Sequence, residues 1–164
     1  MKKKDVKKIS SNMEDYLEVI ALLKHKRGIV KVTDISQMMR VKKPSVTGAL
    51  NMLSRYNLVV HEPYGYVELT LEGAKIARET QKRHNLLTKF LGEVLKIDLR
   101  IAEQDACKIE HSISTQTFEK LTKFIKFVET CPEGTRPQWL KSFDQYYETG
   151  CRFNCKTHIV KSKK

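Results

Sequence analysis

At 164 residues the chain has the length of one sizeable core, or of a small domain with a helical extension, which excludes a large multidomain machine. Hydrophobic residues make up 40% and charged residues 30%, and no run approaches the ~20 apolar residues of a bilayer span, so a soluble globular protein is expected rather than a membrane protein. Lys and Arg number 31 against 19 Asp and Glu, a formal charge of +12 that favours a polyanionic partner, nucleic acid first, although Lys2–Lys4, Lys7, Lys8, Lys156, Lys161, Lys163 and Lys164 place part of the excess in the tails.

The basic start Met1-Lys2-Lys3-Lys4 runs into Val6-Lys7-Lys8 instead of the apolar stretch of a secretory signal, which makes a cytoplasmic location the expectation. Ser10, Ser11 and Asn12 offer capping oxygens to an amphipathic helix with Met13, Tyr16, Leu17 and Ile20 at helical spacing, closed by Gly28. Thr33-Asp34 opens a short second helix with Val32, Ile35 and Met38 or Met39 inward. Pro44 suits the first turn of a third, Ser45 to about Tyr56, with Val46, Ala49, Leu50 and Leu53 on its apolar stripe.

Two short helices joined by about three residues, with Lys42 and Lys43 at the joint, read as a helix-turn-helix. Leu58–Glu62 and Tyr66–Leu69 flank the turn residues Pro63-Tyr64-Gly65, a hairpin pattern that completes the winged-helix order. Thr70 then caps a long helix through about Leu95, followed by helices over about 99–113 and 117–130. Phe118, Leu121, Phe124, Ile125 and Val128 form an apolar stripe too broad for one protomer. Such stripes bury against a second copy, so a homodimer is expected. The fold class is therefore mainly α: a winged helix-turn-helix DNA-binding domain over residues 1–75 and an all-helical domain over 76–130. A Cys-containing basic extension over 131–164 follows.

Cys107, Glu110 and His111 are related by i, i+3 and i+4, which puts a thiol, a carboxylate and an imidazole on one helix face able to chelate a metal. Asp15 and Glu18 form a second set at i, i+3, and His84 lies on the long helix. Taken singly, each set also reads as a solvated face, a surface histidine or a small buried thiol.

From Met13 to Thr130 the sequence resembles the diphtheria toxin repressor and manganese transport regulator family of metal-dependent transcriptional repressors. The likeness runs through Glu14-Asp15-Tyr16-Leu17-Glu18-Val19-Ile20, Pro44-Ser45-Val46-Thr47, Leu69-Thr70-Leu71-Glu72-Gly73, Arg83-His84-Asn85-Leu86-Leu87 and Cys107-Lys108-Ile109-Glu110-His111. The resemblance implies a metallated dimer that binds pseudo-palindromic double-stranded DNA before metal-uptake genes. It implies ligand roles for Asp15, Glu18, His84, Cys107, Glu110 and His111. Asp15 and Glu18 look like the manganese branch and Cys107 like the iron branch, so the cofactor is Fe(II) or Mn(II). The mixed thiolate and carboxylate set favours Fe(II).

At the iron branch's ancillary site only His84 remains, Thr88 and Glu103 standing in the other two positions, so a second metal would be held differently, through Glu103. The C-terminal barrel of longer members has no counterpart, which implies a two-domain architecture. With Gly48 in place of a long polar residue, base reading falls to Ser45, Thr47 and Asn51, with Pro44 against a thymine methyl and Lys42 and Lys43 on phosphates.

Outside the resemblance, Cys131 precedes a turn at Pro132-Glu133-Gly134, and Trp139, Leu140, Phe143, Tyr146 and Tyr147 give the next segment apolar area to fold back. Cys151, Cys155 and His158 would share one face of a helix, and with Cys131 would make a Cys3His site for structural zinc; the bland alternative is three ordinary thiols and a histidine in a basic tail. Two other functions fit part of the pattern: a winged-helix regulator sensing redox state through its cysteines, and a hydrolytic metalloenzyme with a metal-bound water. The second lacks an evident substrate-binding loop.

Overall fold

The structure, a computed structural model, describes residues 9–62, 65–131 and 136–151. Helix α1 (Ser11–Arg27) begins where the Ser10 hydroxyl accepts the Met13 N–H and ends at Gly28, whose φ of +74° lets its N–H turn back to Lys24 O. Its buried face, Tyr16, Leu17, Ile20 and Leu23, seats the first core. Around it close α2 (Val32–Met39) through Ile35 and α3 (Lys43–Arg55) through Val46, Leu50 and Leu53. Of the two methionines, Met39 packs on this core and Met38 stays exposed.

Strands β1 (Val59–His61) and β2 (Val67–Leu69) pair antiparallel, Val59 opposite Leu69 and His61 opposite Val67, with Val59 and Val67 turned into the core. The Val67 N–H also donates to Val30 O at 2.9 Å, fastening the wing to the loop after α1. Next, α4 (Leu71–Lys89) opens under a Thr70 cap, whose hydroxyl accepts the Gly73 N–H. It passes unbroken across residue 75, so the two expected domains share this helix, one end packing on α1 and the other on α5. The α-helical pattern stops at Lys89, short of Leu95. Phe90–Val94 continues as a single π-helical turn, in which the Leu95 N–H reaches back five residues to Phe90 O before Ile97 N–H closes on Leu91 O.

Helix α5 (Leu99–Glu110) buries Ala102 and Ala106 against Leu87 and Leu91, small residues that let it lie close to α4. Helix α6 (Thr115–Glu129) adds Leu121 and Ile125, and Phe124 stands edge-on between Phe90 and Trp139 at 6.1 Å from each. Arg136 holds α7 (Gln138–Thr149) in place by donating to Glu93 O and Val94 O, the free carbonyls of the π turn, and to the Asp144 carboxylate. An apolar groove floored by Leu87 and Leu91 and walled by Phe90, Ile109, Leu121 and Phe124 is left open on this side. Among the described residues no helix is long and apolar enough to cross a membrane.

Gly150, at φ +70°, ends α7 by donating to Tyr146 O, so Cys151 lies just beyond that helix. Cys155, His158 and the turn at Pro132–Gly134 lie outside the described residues. Cys131 is half-buried and Cys151 exposed, both as free thiols.

At Gly73 the first turn of α4 meets the Leu58 carbonyl so closely that a Cβ would sit 2.0 Å from Leu58 O. That oxygen already accepts the Thr70 N–H, so neither side can retreat without breaking the cap. Gly73→Ala is expected to destabilise the protein by about 1–3 kcal/mol or more, read as a lower urea midpoint with an unchanged m-value.

Candidate metal centre

The last turn of α5 points Cys107, Glu110 and the following residue, His111, at α1, while His84 reaches the same space from α4. Donor atoms of Asp15, Cys107 and Glu110 lie within 4.8 Å of one another. His111 Nε2 joins them, 2.8 Å from Asp15 Oδ1 and 3.3 Å from Glu110 Oε1. The other oxygen of Glu110 accepts from His84 Nδ1 at 2.8 Å. Glu18, one turn after Asp15, brings a carboxylate whose Oε1 is buried with no hydrogen-bond partner, and Glu110 Oε1 has none of acceptable geometry either. Of the six expected residues, Asp15, Cys107 and Glu110 thus form one group at ligand distances, with His111 against Asp15 and Glu110, His84 against Glu110, and Glu18 close enough for its charge to act on them.

The electrostatics are those of a site short of positive charge. Burial, reinforced by the Glu110 carboxylate, pushes Glu18 up to about 7. Burial likewise raises the Cys107 thiol, with the charges of Glu110, Asp15 and Glu18 adding to it. His84 is raised chiefly by its hydrogen bond to Glu110. For His111 burial opposes the charged form, but Glu14, Asp15 and Glu110 together outweigh it and raise the pKa. A buried polar atom without a partner costs about 1–3 kcal/mol, so two such carboxylate oxygens beside a thiol and two imidazoles are a donor set that suits a divalent cation.

Spacing alone passed over Glu14. Its Oε2 accepts from His111 Nδ1 at 2.6 Å, and the two neighbours Glu14 and Asp15 therefore engage opposite nitrogens of one ring. In the sequence Glu14 is one acid among several, and only the contact with a residue far along the chain distinguishes it. Thr88 and Glu103 share with His84 a separate cavity of about 530 Å³, where Thr88 Oγ1 is buried and unpaired while Glu103 is exposed.

On α3, Lys42, Lys43, Pro44, Ser45, Thr47 and Asn51 are all exposed, the face opposite Val46, Leu50 and Leu53. Thr47 spends its hydroxyl hydrogen on Lys43 O at 3.1 Å, which leaves its methyl group and a lone pair to a ligand. Lys31, Thr33 and His61 extend this surface around a concavity beside the wing, and Lys31 Nζ stands 5.8 Å from the Tyr66 ring centre.

Residues 8–67 match the family model described as iron dependent repressor, N-terminal DNA binding domain, and residues 70–138 match iron dependent repressor, metal binding and dimerisation domain. An uncharacterised HTH-type transcriptional regulator of Methanocaldococcus jannaschii is 34% identical over 119 residues, which cover 72% of this chain and 95% of that protein. The HTH-type transcriptional regulator MntR of Bacillus subtilis is 30% identical over 137 residues, 84% of this chain and 94% of the relative. The solved structure of the manganese regulator SloR superposes with a TM-score of 0.65 at 29% identity over 79% of this chain; the chain spans 61% of that structure.

The raised groups set the pH response of the metal-free protein. A group that holds its proton more tightly when folded stabilises the fold below its unfolded pKa, and that contribution is lost as pH rises through the folded value. For Glu18 the window runs from the ordinary 4.5 to about 7, and His84 and His111, both raised above 6.5, act in the same direction. Thermal stability without metal is expected to fall as pH rises through this window, and Glu18→Gln to flatten the fall. Melting curves across the range with and without Mn(II) are the check, with the largest stabilisation by metal expected at the upper end.

Proposed function

Because this chain belongs to the iron-dependent repressor family of metal-dependent transcriptional regulators, we propose that it is a cytoplasmic, homodimeric repressor of metal-uptake genes that binds a pseudo-palindromic operator when loaded with Fe(II) or, second, Mn(II). The observation that carries the reading is the charge-deficient donor cluster at the seam between the DNA-binding helices and the dimerisation helices. Asp15, Glu18, His84, Cys107, Glu110 and His111 are its ligands. A bound divalent cation supplies the positive charge that these carboxylates and the thiolate lack.

Asp15 and Glu18 belong to α1, whose opposite face seats α2, α3 and the wing. Cys107, Glu110 and His111 belong to the end of α5, in the half that carries the apolar groove offered to a second copy. Donors on α1 and α5 that share one cation lock the recognition helix at a fixed position relative to the dimer axis, and the spacing of the two recognition helices sets which half-sites can be bound together. Such a lock shifts the population only insofar as the DNA-competent arrangement holds the cation more tightly. Cys107 favours iron: a thiolate softens the site beyond the preference of Mn(II), whereas Fe(II) accepts both sulfur and oxygen donors. Mn(II) stays second because SloR is a manganese regulator.

On the operator, Ser45, Thr47 and Asn51 face the base edges, Pro44 meets a thymine methyl, and Lys42 and Lys43 hold phosphates. Double-stranded DNA selected from a random pool is expected to bind tightly with Fe(II) or Mn(II) and weakly with chelator. The logarithm of affinity should fall with the logarithm of salt at about 0.9 per phosphate contact. Equal affinity with metal and with chelator would overturn the repressor reading.

Cys107→Glu exchanges the soft donor for a hard one. The expected result is a shift of the Mn(II)/Fe(II) ratio of activation constants toward manganese, measured by anaerobic metal titration of DNA binding. An unchanged ratio would remove Cys107 from the ligand set.

A further inference from the structure

On the outer side of the metal junction one contact is left without a role by the reading above. His111 is gripped from both edges by successive residues of α1: Nε2 faces Asp15 and Glu110, and Nδ1 faces Glu14. Side chains at successive helix positions diverge by about 100°, so Glu14 and Asp15 can straddle a ring placed between them. Glu14 faces away from the Asp15–Cys107–Glu110 group, into a cavity of about 510 Å³ that it shares with Ile76, Glu79, Arg83 and Ser114. The pair is well shielded, with 10% of the His111 side chain and 18% of the Glu14 side chain exposed.

We propose that Glu14 is the positioning residue that presents His111 to the metal. This rests on the metal-site reading above and deepens it. A neutral imidazole has one N–H and one lone pair, and the hydrogen bond made by one nitrogen decides which atom is free to ligate. The Glu14 carboxylate accepts Nδ1–H, keeps the ring plane aimed between α1 and α5, and leaves the Nε2 lone pair directed at Asp15 and Glu110. It also makes the ring a stronger donor, because partial negative charge passes to it through the hydrogen bond. Glu14 itself remains outside the ligand set.

Three variants separate position from charge. Glu14→Gln keeps an acceptor oxygen at the same reach without the charge; Glu14→Asp keeps the charge but is one methylene shorter; Glu14→Ala removes both. The first readout needs no metal: carbon and nitrogen NMR shifts of the His111 ring, recorded above the histidine titration range, report the tautomer. The wild type and Glu14→Gln are expected to hold the Nδ1–H form, and Glu14→Asp and Glu14→Ala to move toward Nε2–H. The second readout is calorimetric affinity for Co(II), whose visible spectrum reports the ligand set. Glu14→Ala and Glu14→Asp should lose about 10- to 100-fold in affinity, Glu14→Gln clearly less, with band positions unchanged in all three.

Wild-type affinity in Glu14→Ala, or a smaller loss in Glu14→Asp than in Glu14→Gln, would overturn the positioning role. A moved Co(II) band in Glu14→Ala would make Glu14 a ligand instead and overturn it as well. Failure of the wild type to bind Co(II) would sink the metal-site reading and this inference together. Binding by the wild type with no effect in the variants would sink this inference alone.

Discussion

Carboxylates from the first turns of one helix and the last turn of another, with too few protons or cations between them, form the interaction on which the rest depends. Asp15 and Glu18 on α1 face the fully buried Glu110 on α5, and Glu14 meets His111 on the outer side of the same junction. Bringing such groups together is unfavourable unless something positive sits among them, because the interior screens poorly. In the metal-free protein the imidazoles of His84 and His111 and the raised pKa of Glu18 answer that need with protons. A divalent cation competes for the same lone pairs, so proton and metal occupancy are two states of one electrostatic balance.

The fold converts that balance into a spatial signal because α1 has two jobs. Tyr16, Leu17, Ile20 and Leu23 are the seat of the winged-helix core, while Asp15 and Glu18 turn to the junction with α4 and α5. In the proposed mechanism, a change in how firmly α1 is held at the junction would reach α3 through these packed side chains. The shared helix α4 gives the two halves a common axis, and the Thr70 cap with its close approach at Gly73 fixes where that axis starts relative to the wing. At the other end, Arg136 and the Phe90–Phe124–Trp139 stack hold α7 against the π turn and complete the body on which the apolar groove lies.

Much of this is legible in the chain itself, where the physics is local. Ser10, Thr70 and Gly28 mark helix ends by their own hydrogen-bonding and backbone preferences, and Val46, Leu50 and Leu53 declare the inward face of α3 by their period. The spacing of Cys107, Glu110 and His111 already places three donors on one face. What spacing cannot carry is contact between distant elements. Glu14 acquires meaning only beside His111, Gly73 only beside Leu58 O, and Arg136 only beside the carbonyls of Glu93 and Val94. The π turn is equally hidden, since Phe90, Leu91 and Val94 fit an ordinary helical stripe and the extra residue shows only in the hydrogen bond from Leu95 to Phe90. The stop of α7 at Gly150 is local in the same way, a residue type that takes a positive φ.

Coupling between two binding sites is reciprocal: whatever factor the metal adds to DNA affinity, DNA must add to metal affinity. Anaerobic titration of Fe(II) into the protein alone and into its complex with a selected operator duplex measures that factor from the metal side. The account predicts tighter Fe(II) binding in the complex, by the same factor as the gain in DNA affinity on metal loading. Equal Fe(II) affinity with and without DNA would contradict it.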